Sequence, residues 1–359
     1  MEEVVMGGGF WAGKKVFVTG HTGFKGAWLA LWLGSLGARV AGYALAPASM
    51  PSLWQLAGPA SGVASTTADI RDLATLSKTI TAFQPEVVFH LAAQSLVRPS
   101  YEDPVGTYAT NVLGTVHVLE AARRAGSVRA IVNVTSDKCY QNLETGQSYS
   151  EDDPMGGRDP YSSSKGCAEL VTTAYRASFF SGEDAPALAS ARAGNVIGGG
   201  DWAADRIVPD MVRATAAGKS VLVRNPKAVR PWQHVLEPVS GYLQLAERLC
   251  AAPRDFSEGW NFGSDNEDAV PVETIVSTVA RLWGPPAGWT VDKGSHPHEA
   301  HFLRLDSTKA RARLGWRPRL RLQAALEWTV DWYKKQAQGG DARQLTLGQI
   351  ERYMSLSPA

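Results

Sequence analysis

Long apolar runs are missing from this sequence. None of roughly 18 apolar residues occurs, so no transmembrane helix is expected. Cysteine is scarce: Cys139, Cys167 and Cys250 are an odd number without paired spacing, which argues against a disulfide framework or a thiolate zinc site. Cys139 is read as a small buried residue rather than a reactive thiol. Excess charge is absent as well. Lys and Arg number 36 against 35 Asp and Glu, so no broad attraction to nucleic acid or a membrane surface is implied, and an anionic ligand must be held by local arginines. The segment Met1 to Lys15 starts with acids and has no apolar core, so it is no signal peptide, and the cytoplasm is expected. There is no internal repeat and no low-complexity tract. What remains is the composition of an ordinary soluble enzyme, 44% hydrophobic and 20% charged. At 359 residues the chain exceeds what one core usually supports, so two lobes or a large domain with an appended one are expected.

Short apolar runs alternate with helical patterns. Strands are predicted at Lys15–Thr19, Ala38–Tyr43, Glu86–Leu91, Ala130–Thr135 and Ala187–Arg192. Helices are predicted at Ala27–Leu33, Asp72–Phe83, Thr115–Arg124 and Tyr161–Phe180. This alternation implies an α/β fold with a doubly wound parallel (Rossmann) sheet over 13–191. After Arg192 the alternation loosens, and a second, smaller substrate-binding α/β lobe is placed at 192–231 and 264–340. The segment 232–263 returns to the first domain, with Trp260–Gly263 rejoining the sheet. Helices are expected at Pro209–Gly218, Ser307–Leu314 and Leu322–Lys335, and a strand at Val221–Val223. The polar tail after Gln336, 341–359 included, is expected to be weakly ordered.

Gly20, Gly23 and Gly26 stand between the first strand and first helix, with Thr22 and Phe24 among them. Glycine permits a tight turn there and lets backbone N–H groups approach a pyrophosphate at a helix N-terminus. A glycine turn that only packs helix on strand is the bland alternative. Asp69 and Ile70, after the third strand, could contact adenine, and Leu91, Ala92, Ala93 and Gln94 could line the pyrophosphate and ribose. The acid that normally accepts from the adenosine ribose is missing after the second strand, where the chain reads Tyr43-Ala44-Leu45-Ala46-Pro47. No arginine for a 2′-phosphate is there either. NAD is favoured over NADP, with looser binding expected.

Tyr161 and Lys165 are four residues apart and share a helix face, so the ammonium can lower the phenol and leave a base near neutral pH. Ser136, Asp137 and Lys138 follow Thr135 at a strand end. An alcohol dehydrogenase needs Ser136, Tyr161 and Lys165. It does not need an acid and a second amine beside the serine. That surplus points to hydride transfer followed by a second proton-handling step such as elimination of water. The bland reading of Lys138 is a solvated lysine at a strand end.

Several stretches resemble the extended short-chain dehydrogenase/reductases, and within them the sugar-nucleotide dehydratase branch. They are Gly20–Gly26, Thr135–Tyr140, Tyr161–Glu169, Arg192–Trp202, Arg230–Pro238 and His296–His301, in the same order. The resemblance covers nearly the whole chain. It implies conversion of CDP-D-glucose to CDP-4-dehydro-6-deoxy-D-glucose, in the service of bacterial surface polysaccharide (O-antigen, lipopolysaccharide). It also implies a homodimer or dimer of dimers, through two helices per subunit. In the implied chemistry Tyr161 takes the proton of the sugar 4-hydroxyl while NAD accepts the C4 hydride, Ser136 holds the oxygen and Lys165 keeps Tyr161 ionised. The C5 proton then leaves, Asp137 protonates the departing 6-hydroxyl, and the hydride returns to C6. Thymidine-linked relatives carry a glutamate where this chain has Lys138, which acts either as the C5 base or as an enolate stabiliser. Two alternatives are a sugar-nucleotide 4-epimerase of the same fold and a dehydratase for another nucleotide sugar. A catalytically silent NAD-binding scaffold would predict a broken Tyr–Lys pair, and both residues are intact.

For the substrate, a pyrophosphate needs guanidinium forks. Arg206, Arg224 and Arg230 are candidates, with Asn195 beside the phosphate or sugar and Arg98 reaching the sugar. Gln233, His234 and Glu237 either orient the sugar or stitch the lobes together. His296, His298, Glu299 and His301 lack metal-site spacing, and Pro297 argues for a loop. No metal is expected, and His301 is read as a nucleotide contact or packing residue. Most of the 12 tryptophans, Trp28 and Trp32 among them, are expected to pack the interior.

Overall fold

Val16, Phe17 and Val18 are wholly buried, as a strand covered on both faces requires. The computed structural model describes residues 8–58, 62–144, 146–285, 287–294 and 302–357. Strands and helices alternate: β1 (Lys15–Thr19), α1 (Phe24–Ser35), β2 (Arg39–Ala44), β3 (Val63–Thr67), α2 (Leu73–Phe83), β4 (Val87–His90), α3 (Gly114–Ala125), β5 (Ala130–Val134), α4 (Pro160–Phe179) and β6 (Ala187–Ala193). Then come β7 (Asn195–Ile197), α5 (Ile207–Ala216), β8 (Val221–Val223), β9 (Val229–His234), α6 (Leu236–Ala251) and β10 (Gly259–Phe262). The chain continues through β11 (Ala269–Pro271), α7 (Val272–Trp283), β12 (Trp289–Val291), α8 (Leu322–Ala337) and α9 (Ala342–Met354).

Seven strands form one parallel sheet in the order β10-β6-β5-β4-β1-β2-β3. The order reverses between β1 and β4, which opens a crevice at the strands' C-terminal ends. The return of Trp260 is as expected: β10 pairs with β6, Gly259 opposite Ser190. Beyond the sheet, β11, β9 and β7 form a three-stranded sheet, and β12 pairs with β8. No helix among the described residues is long and apolar enough to cross a membrane.

The helix that carries Tyr161 has a well-defined start. Pro160 occupies its first turn, and the Asp159 carboxylate accepts from the Ser162 N–H at 2.9 Å. In α1, Trp28 and Trp32 are both wholly buried, and the Trp28 indole donates to Gly199 O at 3.0 Å.

The weakly ordered tail is a correction. The segment opens with a helix cap, Asp341, whose carboxylate accepts from Gln344 N at 2.9 Å. The helix α9 that follows buries Ala342, Thr346, Ile350 and Tyr353. Tyr353 sits edge-on to Trp32 of α1, ring centroids 5.6 Å apart, and donates to the Glu237 carboxylate at 2.7 Å. The buried positions recur at three- and four-residue spacing, one face of a helix, so the segment's polar composition concealed a packed stripe. Ile350→Ala should therefore lower the unfolding free energy by about 3 kcal/mol in chemical denaturation. A loose tail would leave it unchanged.

Candidate active site

Three loops meet at the crevice. The first follows β1. Gly20 has φ 75°, and a Cβ there would come within 2.6 Å of Ala92 N. A Cβ at Gly26 would sit 2.1 Å from Gly20 O. The turn therefore closes only with glycine at both positions. Gly23 is the N-cap of α1 and supplies no side-chain acceptor, so the first turn of that helix is uncapped by any side chain, as a phosphate-binding terminus requires. Thr22 donates to Leu45 O at 2.9 Å, and Phe24 begins the helix.

The second loop follows β4. Leu91 N and Ala92 N both donate to Thr19 Oγ1 at 3.2 Å, which ties this loop to the glycine turn, with Ala93 next in line. His90 shares a hydrogen bond of 2.7 Å with the same hydroxyl, and burial pulls it down to about 3, so it is neutral. The Gln94 amide donates to Leu96 O and Thr107 and accepts from Leu96 N, bonds that shape the loop. Asp69 follows β3 and is paired with Arg71 at 2.6 Å. Ile70 is buried against Gly114, so its side chain turns inward.

The third loop follows β5. Thr135 does not offer its hydroxyl to a cofactor; it donates to the buried Glu169 carboxylate. Ser136 donates to Asp137 at 3.0 Å and accepts from Lys138 N at 3.3 Å. Asp137 is 2% exposed, and burial raises its carboxyl above the usual range against the pull of Lys138, Ser136, Arg230 and Lys25. Ser136 acts to lower the Tyr161 phenol. That phenol is not lowered as expected: burial pushes it up to about 12, opposed by Ser136 and Arg206. Lys165 is pulled down to about 8 by burial, with Glu169 acting to raise it. Ser136, Asp137, Lys138, Tyr161 and Lys165 thus gather at one place.

Arg230 is buried on β9 beside Asp137. Arg206 donates to Asp201 at 3.0 Å and to Ser95 at 3.2 Å, joining the segment before α5 to the β4 loop. Arg98 and Arg224 converge on one carboxylate, Asp205, at 3.5 and 2.9 Å. Asn195 stands partly exposed at the start of β7. Gln233 and His234 turn into the interior. Gln233 is interior and donates to Phe262 O at 2.8 Å. His234 is wholly buried between Trp28 and Trp328, and burial pulls it down to about 3. Glu237 accepts from Arg319 N, Leu320 N and Tyr353. The bonds of all three fit the stitching alternative, while Gln233 Oε1 and His234 Nε2 have no partner among the described residues. His296, His298, Glu299 and His301 lie outside the described residues.

Lys25 was missed. It stands inside the glycine turn, and burial, Arg206 and Lys165 pull it down to about 7 while Asp137 opposes them. A cation between two glycines of a phosphate turn was the available signal. Asp205 was missed too, and only the fold brings it to both arginines.

The family model described as GDP-mannose 4,6 dehydratase matches residues 17–329. The chain belongs to this family. It is 53% identical over 350 residues to a CDP-glucose 4,6-dehydratase of Salmonella typhimurium, covering 96% of this chain and 98% of that one. An epimerase of Methanothermobacter thermautotrophicus shares the family's fold, with TM-score 0.82 at 23% identity over 93% of this chain and 96% of that one. So does a dTDP-glucose 4,6-dehydratase of Streptomyces venezuelae solved with NAD, TM-score 0.76 at 23% identity over 92% and 99%.

Asp205→Asn removes the carboxylate that both arginines share. Affinity for inorganic pyrophosphate should rise about two- to fivefold by calorimetry, the size of an exposed ion pair. Unchanged affinity would separate Arg98 and Arg224 from the anion site.

Proposed function

We propose that this chain is an NAD-dependent CDP-glucose 4,6-dehydratase, forming CDP-4-dehydro-6-deoxy-D-glucose and water. The observation that carries this reading is a buried carboxyl, Asp137, raised above its usual range and hydrogen-bonded with Ser136, the serine that acts to lower the Tyr161 phenol. Oxidation alone has no use for that acid. The cytidine substrate is supported by the 53% identity over nearly the whole chain.

The glycine turn and the uncapped start of α1 fit a dinucleotide pyrophosphate, with Gly20, Gly23, Gly26, Leu91 and Ala92 as its walls. NAD bound there supplies a hydride acceptor at C4 and a donor at C6. Tyr161 takes the proton of the 4-hydroxyl and Ser136 holds that oxygen. Because burial opposes the phenolate, its ionisation depends on nearby cations: Arg206, which acts to lower the phenol, and Lys165, one turn along the same helix. Lys138, beside Asp137, serves at C5, and Asp137 protonates the leaving 6-hydroxyl. Arg206, Arg224, Arg230 and Arg98 hold the pyrophosphate and sugar, with Asn195 beside them. Exposed Leu113, Leu170 and Phe179, on and beside α3 and α4, support a homodimer, and a biosynthetic role in the cytoplasm fits the reading.

Incubation with CDP-glucose and NAD should give a product lighter by one water in mass spectrometry. An unchanged mass would favour the epimerase. Tyr161→Phe should abolish NADH absorbance with substrate. Asp137→Asn should keep C4 oxidation but slow water loss at least ~100-fold, and full turnover by that variant would remove its role. Lys165 is charged below about 8 and neutral above, so kcat/KM should fall as pH rises through about 8. A flat profile there would mean that the ammonium is not required.

A further inference from the structure

Glu169 lies four residues beyond Lys165 and eight beyond Tyr161 on α4, on the same face of the helix. It is 2% exposed and forms a two-pronged pair with Arg192 of β6, whose Nε and Nη2 donate at 2.9 and 2.8 Å. The same carboxylate accepts from Ser190 at 2.6 Å and from Thr135. Thr135 directly precedes Ser136 and Asp137. Arg192 in turn donates through Nη1 to the Tyr140 hydroxyl at 2.7 Å, and Tyr140 donates to Asn261 at 2.8 Å. Tyr140 closes the other end of the same turn. The ion pair therefore holds the segment Thr135–Tyr140 at both of its ends, while its acidic member belongs to the helix of Tyr161 and Lys165.

We propose that the Glu169–Arg192 pair is the positioning device of this site, fixing Ser136 and Asp137 against Tyr161 and Lys165. This rests on the dehydratase reading and assigns residues that act through others. A buried ion pair often adds little to stability and is kept for the geometry it specifies. Here that geometry joins two separate chain segments whose reacting groups must stay in register through two successive proton transfers. The Glu169 charge also acts on Lys165 and favours its ammonium form.

Removing Glu169 or Arg192 leaves a lone buried charge and risks unfolding. The test instead cuts single tethers with the pair intact. Thr135→Val frees one end of the turn and Tyr140→Phe the other. Ser190→Ala removes an equivalent bond to the same carboxylate from a strand that carries no reacting group. Each purified variant is assayed with CDP-glucose and NAD beside the unaltered protein. Thr135→Val and Tyr140→Phe should lower kcat about tenfold or more with KM nearly unchanged, the cost of a misplaced group. Both should also release CDP-4-dehydroglucose with one NADH per molecule, because the C4 hydride has moved and Asp137 no longer meets the 6-hydroxyl. Ser190→Ala should stay within about twofold and release none. Equal effects in all three variants, following only the folded fraction, overturn the proposal. So does full activity without release in Thr135→Val and Tyr140→Phe. Unaltered protein that removes no water from CDP-glucose refutes the dehydratase reading itself, and this inference with it.

Discussion

A carboxyl group kept out of water is the constraint around which this site is arranged. Asp137 is surrounded by cations of different origin: Lys25 from the glycine turn, Lys138 from its own loop and Arg230 from β9. Each cation acts to lower the acid, and the acid acts to raise Lys25 in return. Lys25 and Lys165 are both pulled down by burial, so a cluster with several basic groups carries less charge than its composition implies. Water exclusion strengthens every one of these interactions. Residues far apart in sequence are thereby bound into one electrostatic unit.

The parallel sheet makes this unit possible. β1, β4, β5 and β6 end side by side, so each loop leaving them opens on the same crevice. Arg206 bridges to Ser95, and Asp205 is shared by Arg98 and Arg224, so the segment after β7 is tied back to the chain that follows β4. Further from the crevice the polar contacts change character. Gln233, His234 and Glu237 serve the interior, where His234 stays neutral between tryptophans.

Much of this was legible in the sequence, for identifiable reasons. The strands of the main sheet are short apolar runs, and α4 opens with a capping Asp and a Pro, signals that are local. Tyr161 and Lys165 share a face by helical spacing alone. What was not legible depends on distance through space. Nothing near His234 in the chain predicts the tryptophans on either side of it, which come from α1 and α8. The hydroxyl of Thr135 turns to Glu169 instead of outward because a helix and a strand happen to meet there. The tail was misread because its few apolar residues matter by position rather than by number.

The seat of α9 on α1 has an outcome for how the protein is made. The helix after the glycine turn emerges early in translation, yet Trp32, on its buried face, meets Tyr353 only after more than three hundred further residues have been added. Throughout that interval the nascent chain must keep an indole covered by other means. A ribosome that stops short leaves a nucleotide-binding half whose back is still open, a surface that chaperones and proteases can distinguish from the finished enzyme.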